Sequence, residues 1–507
     1  MMDRLGFGSI LSRATLSRDF TASIVVFLVA LPLCMGIAIA SGVPPEKGLI
    51  TGIIGGIVVG ALAGSPLQVS GPAAGLAVIV FELVRDHGLS ALGPILALAG
   101  AIQFAAGAFR MGGWFRAISP AVVHGMLAGI GALIVVGQFH VLFDAKPLAN
   151  GLENLSAMPA RLLGLDAMNM AAAELAFAIG SLTILSMIVW EKVRPVSMKL
   201  VPGALVGVLM GTIAASLLGL PIVRVDVPAS IFAAVEAPGA GFLDRMLQPA
   251  LLLTAVAIAF IASAETLLSA AAVDRMHDGV RTDYDRELRA QGVGNFLCGL
   301  AGSLPMTGVI VRSSANVQAG AMTRLSAILH GIWILAFVAL LPWLLRQIPM
   351  AALAGILVVT GWRLVSVAHV RHLFHHHGPL PVVIWLATFV MVVATDLLTG
   401  VLVGLGLSLL ELIPHLRRLR LKVDERHEED RSEIRLEGAA TFLTIPKLLK
   451  ALEAIPGHRK VHLDLRKVPA IDHSAAEMLA EWIQRRRSGG TQVNLDGEAP
   501  GLRRMAA

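Results

Sequence analysis

Apolar residues run in long, nearly uncharged blocks from Phe20 to Ile413, separated by short polar connections. Blocks of about 18 residues or more are long enough for a helix to cross a bilayer. The pattern therefore predicts a polytopic α-helical membrane protein. A first series of spans is expected near Phe20–Ser41, Gly48–Ala63, Leu89–Phe109, Ser119–Leu142, Ala171–Trp190 and Pro202–Leu220, with a shorter half-helix at Pro72–Val84 in third place. A second series follows at Pro249–Ala272, Leu288–Gly302, Leu325–Leu345, Ala351–Val365, Pro381–Ala394 and Leu398–Pro414, with its own half-helix, Gly308–Ala319, again third. That makes 14 transmembrane segments, seven plus seven, in repeats of about 20–220 and 249–414. An odd number of spans per repeat sets the halves in opposite orientations, which is an inverted repeat.

The two interrupted stretches carry the functional signal. One reads Leu67-Gln68-Val69-Ser70-Gly71-Pro72-Ala73-Ala74-Gly75-Leu76; the other is Gly302–Ala319, in which Pro305 and Gly308 break the apolar run and Arg312 stands among hydroxyl and amide residues. Short Gly/Pro-broken segments in matching places of two halves point to a transporter's binding site. A helix that begins inside the bilayer leaves its first N–H groups unpaired and turns its positive dipole end inward. Such an end suits an anion. The backbone around Ala73, Ala74, Val309 and Ile310, with Val311 and Arg312, is accordingly the expected anion cradle, and Cys34, just after Pro32 of the first span, is placed to line it.

Beyond Leu416 the composition changes. Residues 417–431 are charged and read as a linker. Residues 432–507 read as a small α/β unit, with strands at Ser432–Leu436, Val461–Leu465 and Gln492–Leu495 and helices at Pro446–Ala454 and Ser474–Arg487. Alternation of this kind argues for a sheet covered by helices.

Composition agrees with a membrane chain: 56% of the 507 residues are hydrophobic and 15% charged, where a soluble domain carries roughly 25% charged. The mean hydropathy is +0.75. A net charge of +6 does not point to nucleic acid, because the basic residues are spread through short connections. They are denser in alternate connections, which places the N-terminal segment 1–19 and the tail on the cytoplasmic side of the plasma (inner) membrane. Cys34 and Cys298 both sit in apolar surroundings, so no disulfide framework is expected. No phosphate loop, nucleophile elbow or zinc spacing appears, which disfavours an ATP-driven pump or a hydrolase and gives no cofactor and no enzyme activity.

Glu265 lies mid-span in Ala262-Ser263-Ala264-Glu265-Thr266. A carboxylate at membrane depth costs about 2.5–3.5 kcal/mol on insertion scales and is usually kept for function. Ser269 follows one turn on, on the same face. The pair can ligate Na+ or relay a proton, so Na+ or H+ is the expected coupling ion, against a purely structural carboxylate. Arg312 is expected to act on the substrate or to pair with Glu265. The run His372, His375, His376 and His377 reads as solvated rather than metal-binding, and His124, His140 and His330 as packed within spans.

The sequence resembles the sulfate permease (SulP) family of anion transporters over nearly its whole length. The resemblance is carried by Asp19-Phe20 leading into Leu31-Pro32, by Ser70-Gly71-Pro72-Ala73-Ala74-Gly75, and by Arg312-Ser313-Ser314-Ala315-Asn316-Val317-Gln318-Ala319-Gly320. The tail resembles a STAS domain in Leu463-Asp464-Leu465 and Ile471-Asp472-His473-Ser474, and is short. The resemblance implies a core of spans one to four and eight to eleven, a gate of the remaining spans, elevator-like movement and a homodimer. It also implies sodium held by the carboxylate and hydroxyl at the Glu265 and Ser269 positions. Three departures stand out: Leu33 where many members have a polar residue, Val311 where many have Ser, and His473 where soluble STAS regulators are phosphorylated on Ser. The expected function is secondary transport of sulfate or bicarbonate. A dicarboxylate or nucleobase symporter of the same fold, or a membrane regulator whose STAS tail binds a cytoplasmic partner, are the competing readings.

Overall fold

A computed structural model describes residues 13–115, 119–148, 150–164, 170–198, 200–277, 279–366, 370–371, 373–375, 379–411, 421–427, 431–441, 444–453, 455, 460–468, 471, 473–488 and 490–497. The fold divides into two bodies, residues 1–112 with 130–365, and residues 113–129 with 366–507.

In the first body, α1 (Arg13–Ala40) is followed by α2 (Pro45–Leu62), whose middle widens into a π-helical turn at Gly55–Val59. Strand β1 (Ser70–Pro72) then leads through a 3₁₀ turn, Ala74–Leu76, into the half-helix α3 (Ala77–His87). Helix α4 (Leu92–Ala108) comes next. Helix α5 (Pro120–Val141) starts in the second body and ends in the first. It is followed by α6 (Gly151–Leu162), α7 (Met170–Val193) and α8 (Gly203–Leu217).

The second series runs α9 (Pro249–Asp274), α10 (Tyr284–Leu300), β2 (Met306–Gly308), the half-helix α11 (Ile310–Gln318), α12 (Leu325–Leu340) and α13 (Met350–Leu364). In the second body, α14 (Pro379–Ala394) and α15 (Leu397–Glu411) complete it. Each expected span thus has its helix, and each series carries its strand and half-helix in third place. Six of the described helices are long and apolar enough to cross a membrane by themselves; others are apolar but shorter.

Glycine sets how closely these helices approach. On α10, Gly292 and Gly299 face the backbones of Phe104 and Ala97 on α4, where an added Cβ would lie 2.4 and 2.3 Å from the nearest atom. The π turn of α2 presses against α12 in the same way, with Gly56 facing the Gly331 backbone and the His330 ring. Small residues of this kind let helices dock where no hydrophobic effect drives them together. Asp19, buried in α1, accepts hydrogen bonds from the Met322 and Thr323 amides and the Thr323 hydroxyl, tying the first helix to the turn between the second half-helix and α12.

The tail forms a four-stranded sheet in the order β3 (Lys422–His427), β4 (Arg431–Glu437), β5 (Lys460–Lys467), β6 (Val493–Asp496). Strand β3 is antiparallel to β4, and the other neighbours are parallel. Helices α16 (Ile445–Glu453) and α17 (His473–Ser488) supply Leu448, Leu452, Leu479 and Ile483 to a core shared with Ile434, Leu436, Leu463 and Val493. Strand β3 corrects the expected linker: Lys422-Val423-Asp424-Glu425-Arg426-His427 has no apolar alternation, because it is an edge strand held by its ladder. Charged edges of this kind resist pairing with other chains. The first twelve residues, Arg417, Arg418 and Arg420, His372, His376 and His377, Asp472 and residues 498–507 lie outside the described residues.

Candidate functional site

The two broken segments meet. β1 and β2 pair antiparallel, with Ser70 opposite Gly308, Gly71 opposite Thr307 and Pro72 opposite Met306. The ladder extends at both ends: the Ala73 amide donates to the Pro305 carbonyl at 3.1 Å and the Val309 amide to the Val69 carbonyl at 2.9 Å. Immediately beyond, Ala73 and Val309 adopt extended backbone as the cap residues of the two helix starts, and neither start has a side-chain cap. The amides of Ala73 and Val309, placed in the expected cradle, are therefore committed to the ladder. The uncapped first-turn donors lie one residue further in, at Ala74 on one side and Ile310, Val311 and Arg312 on the other, while the next amide, that of Gly75, faces the Glu265 carboxylate.

α11 presents two faces. On the inner face, Ser313 donates to the Val309 carbonyl at 2.8 Å and accepts from the Val69 amide at 2.9 Å, and Asn316 donates to the Leu67 carbonyl at 3.0 Å. Arg312 is on this face too, with no exposed surface and no hydrogen bond to any of its three guanidinium nitrogens. It lies over Gly71, where a Cβ would fall 1.9 Å from Nη1, and beside the Cys34 thiol. Cys34 is fully buried, as is its neighbour Leu33 apart from a few per cent. On the other face, Ile310 and Val311 are 40% exposed. Further along, Ala315, Gln318 and Ala319 line a cavity of about 310 Å³ together with Val25, Val29 and Arg194.

α9 touches β2 and the segment that leads into β1. The Thr266 hydroxyl accepts from the Gly308 amide at 3.1 Å, and its carbonyl accepts from the Gln68 side chain at 3.0 Å. Its neighbour Glu265 faces the Gly75 backbone and the Thr307 side chain, and a Cβ on Gly75 would lie 2.6 Å from Oε2. That oxygen is buried without a hydrogen-bond partner, and so is the Thr307 hydroxyl. Ser269 is buried one turn along the same helix. The ion pair between Arg312 and Glu265 that the sequence allowed is not formed: Arg312 makes no contact of that kind, and each charge stands at its own helix start. The α11 start therefore carries an extra cation, whereas the dipole of the Ala74–Leu76 start is opposed by a carboxylate.

α10 holds the pair of strands through residues that the sequence reading passed over. Glu287 accepts from the Gly64 and Ser65 amides at 2.8 and 2.9 Å. Gln291 donates to Ser70 Oγ and to Glu287. Asn295 accepts from the Met306 amide at 2.7 Å, donates to the Met306 carbonyl at 3.1 Å, and reaches Gln103 at 2.6 Å. These three recur at every fourth position, so they share one helix face. Gln291 and Asn295 are a polar pair inside the expected span Leu288–Gly302; Glu287 falls outside that span, because Asp283 caps α10 earlier by accepting from the Arg286 amide.

Two of the three histidines at membrane depth, His140 and His330, are fully buried. His140 Nε2 lies 3.0 Å from the Asn154 carbonyl, and His330 Nδ1 bonds the Ala327 carbonyl. Among the described residues no group of three or more His, Cys, Asp or Glu is arranged to hold a metal.

Paired half-helices, crossed at their starts by two short strands and held by a polar helix, characterise this site. The Sulfate permease family matches residues 16–388. The chain belongs to the sulfate permease family. Residues 423–507 match the Mlab, STAS domain family. Among curated proteins, the chain is 30% identical to the putative sulfate transporter YvdB of Bacillus subtilis, over 92% of this chain and 89% of that protein. It is 24% identical to the bicarbonate transporter BicA of Picosynechococcus, over 96% and 89%. Among solved structures, the transmembrane domain of a cyanobacterial BicA aligns with a TM-score of 0.66 at 23% identity, covering 77% of this chain and 98% of that one. SLC26A9 aligns with a TM-score of 0.71 at 14% identity, covering all of this chain and 89% of that one. The architecture is thus the fourteen-helix inverted repeat of multi-pass membrane transporters followed by a STAS domain.

Proposed function

We propose that this sulfate permease family member is a secondary transporter of a small inorganic anion, sulfate or bicarbonate, held between the starts of the two half-helices. The observation that carries the reading is Arg312, a fully buried guanidinium with no hydrogen-bond partner at the head of α11. A buried charge without a partner is costly. A bound anion supplies the missing counter-charge, and the uncapped amides of Ile310, Val311 and Ala74 supply donors that favour negative charge. Cys34 furnishes the wall on the α1 side.

Glu265 is the coupling group of this proposal. Its carboxylate at the opposite helix start repels an anion unless a proton or a cation neutralises it. Glu265, with Thr307 beside it and Ser269 one turn along, offers oxygens of the hard type that Na+ prefers. Loading of Na+ or H+ at Glu265 would then favour loading of the anion, which is symport. By the density of basic residues, the N-terminus and the STAS domain face the cytoplasm. The working unit of this proposal is a homodimer in the inner membrane, with residues 20–416 carrying transport and 432–507, joined through β3, open to a cytoplasmic partner.

The test is uptake of labelled sulfate, and separately of bicarbonate, into vesicles containing the full chain, with and without inward Na+ and proton gradients. Saturable uptake of one anion that depends on one gradient is expected. Uptake blocked by fumarate or uracil with no competition from either inorganic anion would overturn the substrate class.

A further inference from the structure

Helix α6, Gly151–Leu162, lies between the membrane spans α5 and α7, and plays no part in the anion site. Its apolar and polar faces are inverted relative to a soluble helix. Leu152, Leu155, Leu162 and Leu163 are 50, 51, 59 and 72% exposed, and Pro159 is exposed between them. At 3.6 residues per turn these five positions fall within an arc of about 100°, the width of a buried apolar stripe. The face turned into the protein is polar. Asn154 is buried there, accepting from the Leu148 amide at 2.9 Å and donating to the carbonyls of Leu148 and Asn150 at 3.1 and 2.7 Å. The Asn154 carbonyl meets His140 Nε2, which belongs to α5. The N-terminus of α6 is closed as well, since Asn150 accepts from the Glu153 amide at 2.9 Å and donates to its carboxylate at 2.7 Å. The helix is therefore pinned by its polar side to the end of a span, with its leucines directed away.

We infer that α6 is a lipid-surface helix, whose Leu152–Leu155–Pro159–Leu162 stripe is immersed at the boundary between headgroups and acyl chains beside α5. The choice of lipid over another occupant follows from continuity. α6 is joined to α5 by nine residues and to α7 by seven, and its Asn154 carbonyl meets His140 in the last turn of α5, so it sits at the level where that span leaves the bilayer. Amphipathic helices with a leucine face settle in that zone. Glu153 and Ser156 flank the stripe and remain on the water side. The helix then acts as a float that fixes how deep the α5–α7 pair sits in the membrane.

Environment-sensitive labelling in vesicles tests this. Both native cysteines are buried, so an introduced thiol can be labelled selectively. Full-length Leu155→Cys and Leu162→Cys variants carrying bimane are reconstituted in phosphatidylcholine, with or without lipid brominated near the top of the chains. Blue-shifted emission that bromolipid quenches and aqueous iodide does not is expected at both positions, with the reverse at Glu153→Cys. Iodide quenching at 155 and 162 equal to that at 153 would overturn the inference. So would shielding from iodide without bromolipid quenching, together with thiol cross-linking between copies at 155, which would mean that a second copy covers the stripe. Two leucine positions keep the test open should one variant fail to assemble.

Discussion

Gly71 is where the proposed site is most sharply testable. A Cβ at this position would lie 1.9 Å from Arg312 Nη1 and 2.9 Å from Cζ. Ordinary contact between heavy atoms begins near 3.5 Å, so in Gly71→Ala the guanidinium must retreat by about 2 Å. It can, because the obstructing atoms are the end of a flexible side chain that no hydrogen bond holds. The fold should survive; the charge should not stay in place. Moving a unit charge from about 4 to about 6 Å from an anion, at an effective dielectric constant of about 20, weakens the attraction from about 4 to about 2.8 kcal/mol. The difference of about 1.4 kcal/mol is about tenfold in affinity. Initial rates of anion uptake in vesicles, measured against substrate concentration beside a thermal melt of the same preparation, read both quantities. A KM raised about tenfold with a near wild-type melting temperature is expected. An unchanged KM would refute the placement of Arg312 at the anion, and an unfolded variant would refute the claim that the side chain is what yields.

Gly48→Ala is the counterpart: its Cβ would meet the Cys34 carbonyl oxygen at 2.0 Å, and that backbone cannot move without separating α1 from α2, so lost expression or a strongly lowered melting temperature is expected in a detergent melt. Glu265→Gln, which keeps shape and removes charge, is expected to leave anion uptake measurable while abolishing its dependence on the driving gradient; retained dependence in the same flux assay would remove Glu265 from coupling. Asn295→Leu strips both bonds to Met306 and the contact to Gln103, and with about 1–3 kcal/mol for each buried group left unpaired it should lower the melting temperature and flux together. In the tail, bonds from Arg466, with Arg435 nearby, hold the Asp464 carboxyl well below its ordinary value of 3.8. A carboxyl whose folded value is depressed contributes stability that is complete above the ordinary value and lost as pH falls towards the folded one. Protease resistance of the STAS sheet should therefore be unchanged between pH 7 and about 5 in the wild type, and reduced throughout that range in Asp464→Asn.

Much of this was legible in the chain because a membrane span is written as a long apolar run. The fourteen spans, the third-place interruptions, and the prominence of Glu265 and Arg312 all follow from that single signal. What stayed hidden is what periodicity does not encode. Three-residue strands such as Ser70–Pro72 and Met306–Gly308 are too short to alternate, and their pairing joins residues more than two hundred positions apart. Only that pairing reveals that the Ala73 and Val309 amides are spent in the ladder. Strand β3 escaped notice because its partner, not its own side chains, makes it a strand. α6 escaped because Asn154 faces the protein and the leucines face outward, contrary to the rule by which amphipathic helices are read in soluble domains.

The crossed strands also constrain how this family member can change over time. Because β1 and β2 run antiparallel and each feeds directly into a half-helix, one residue gained or lost in either strand slips the register of the pair. Such a change would re-aim both helix heads at once, so neither half could be lengthened or shortened here alone. Insertions tolerated in connecting loops would be refused at Ser70–Pro72 and Met306–Gly308 unless both halves changed in step. A duplicated ancestor that acquired this stitch would have frozen its length at the centre while its periphery stayed free to diverge.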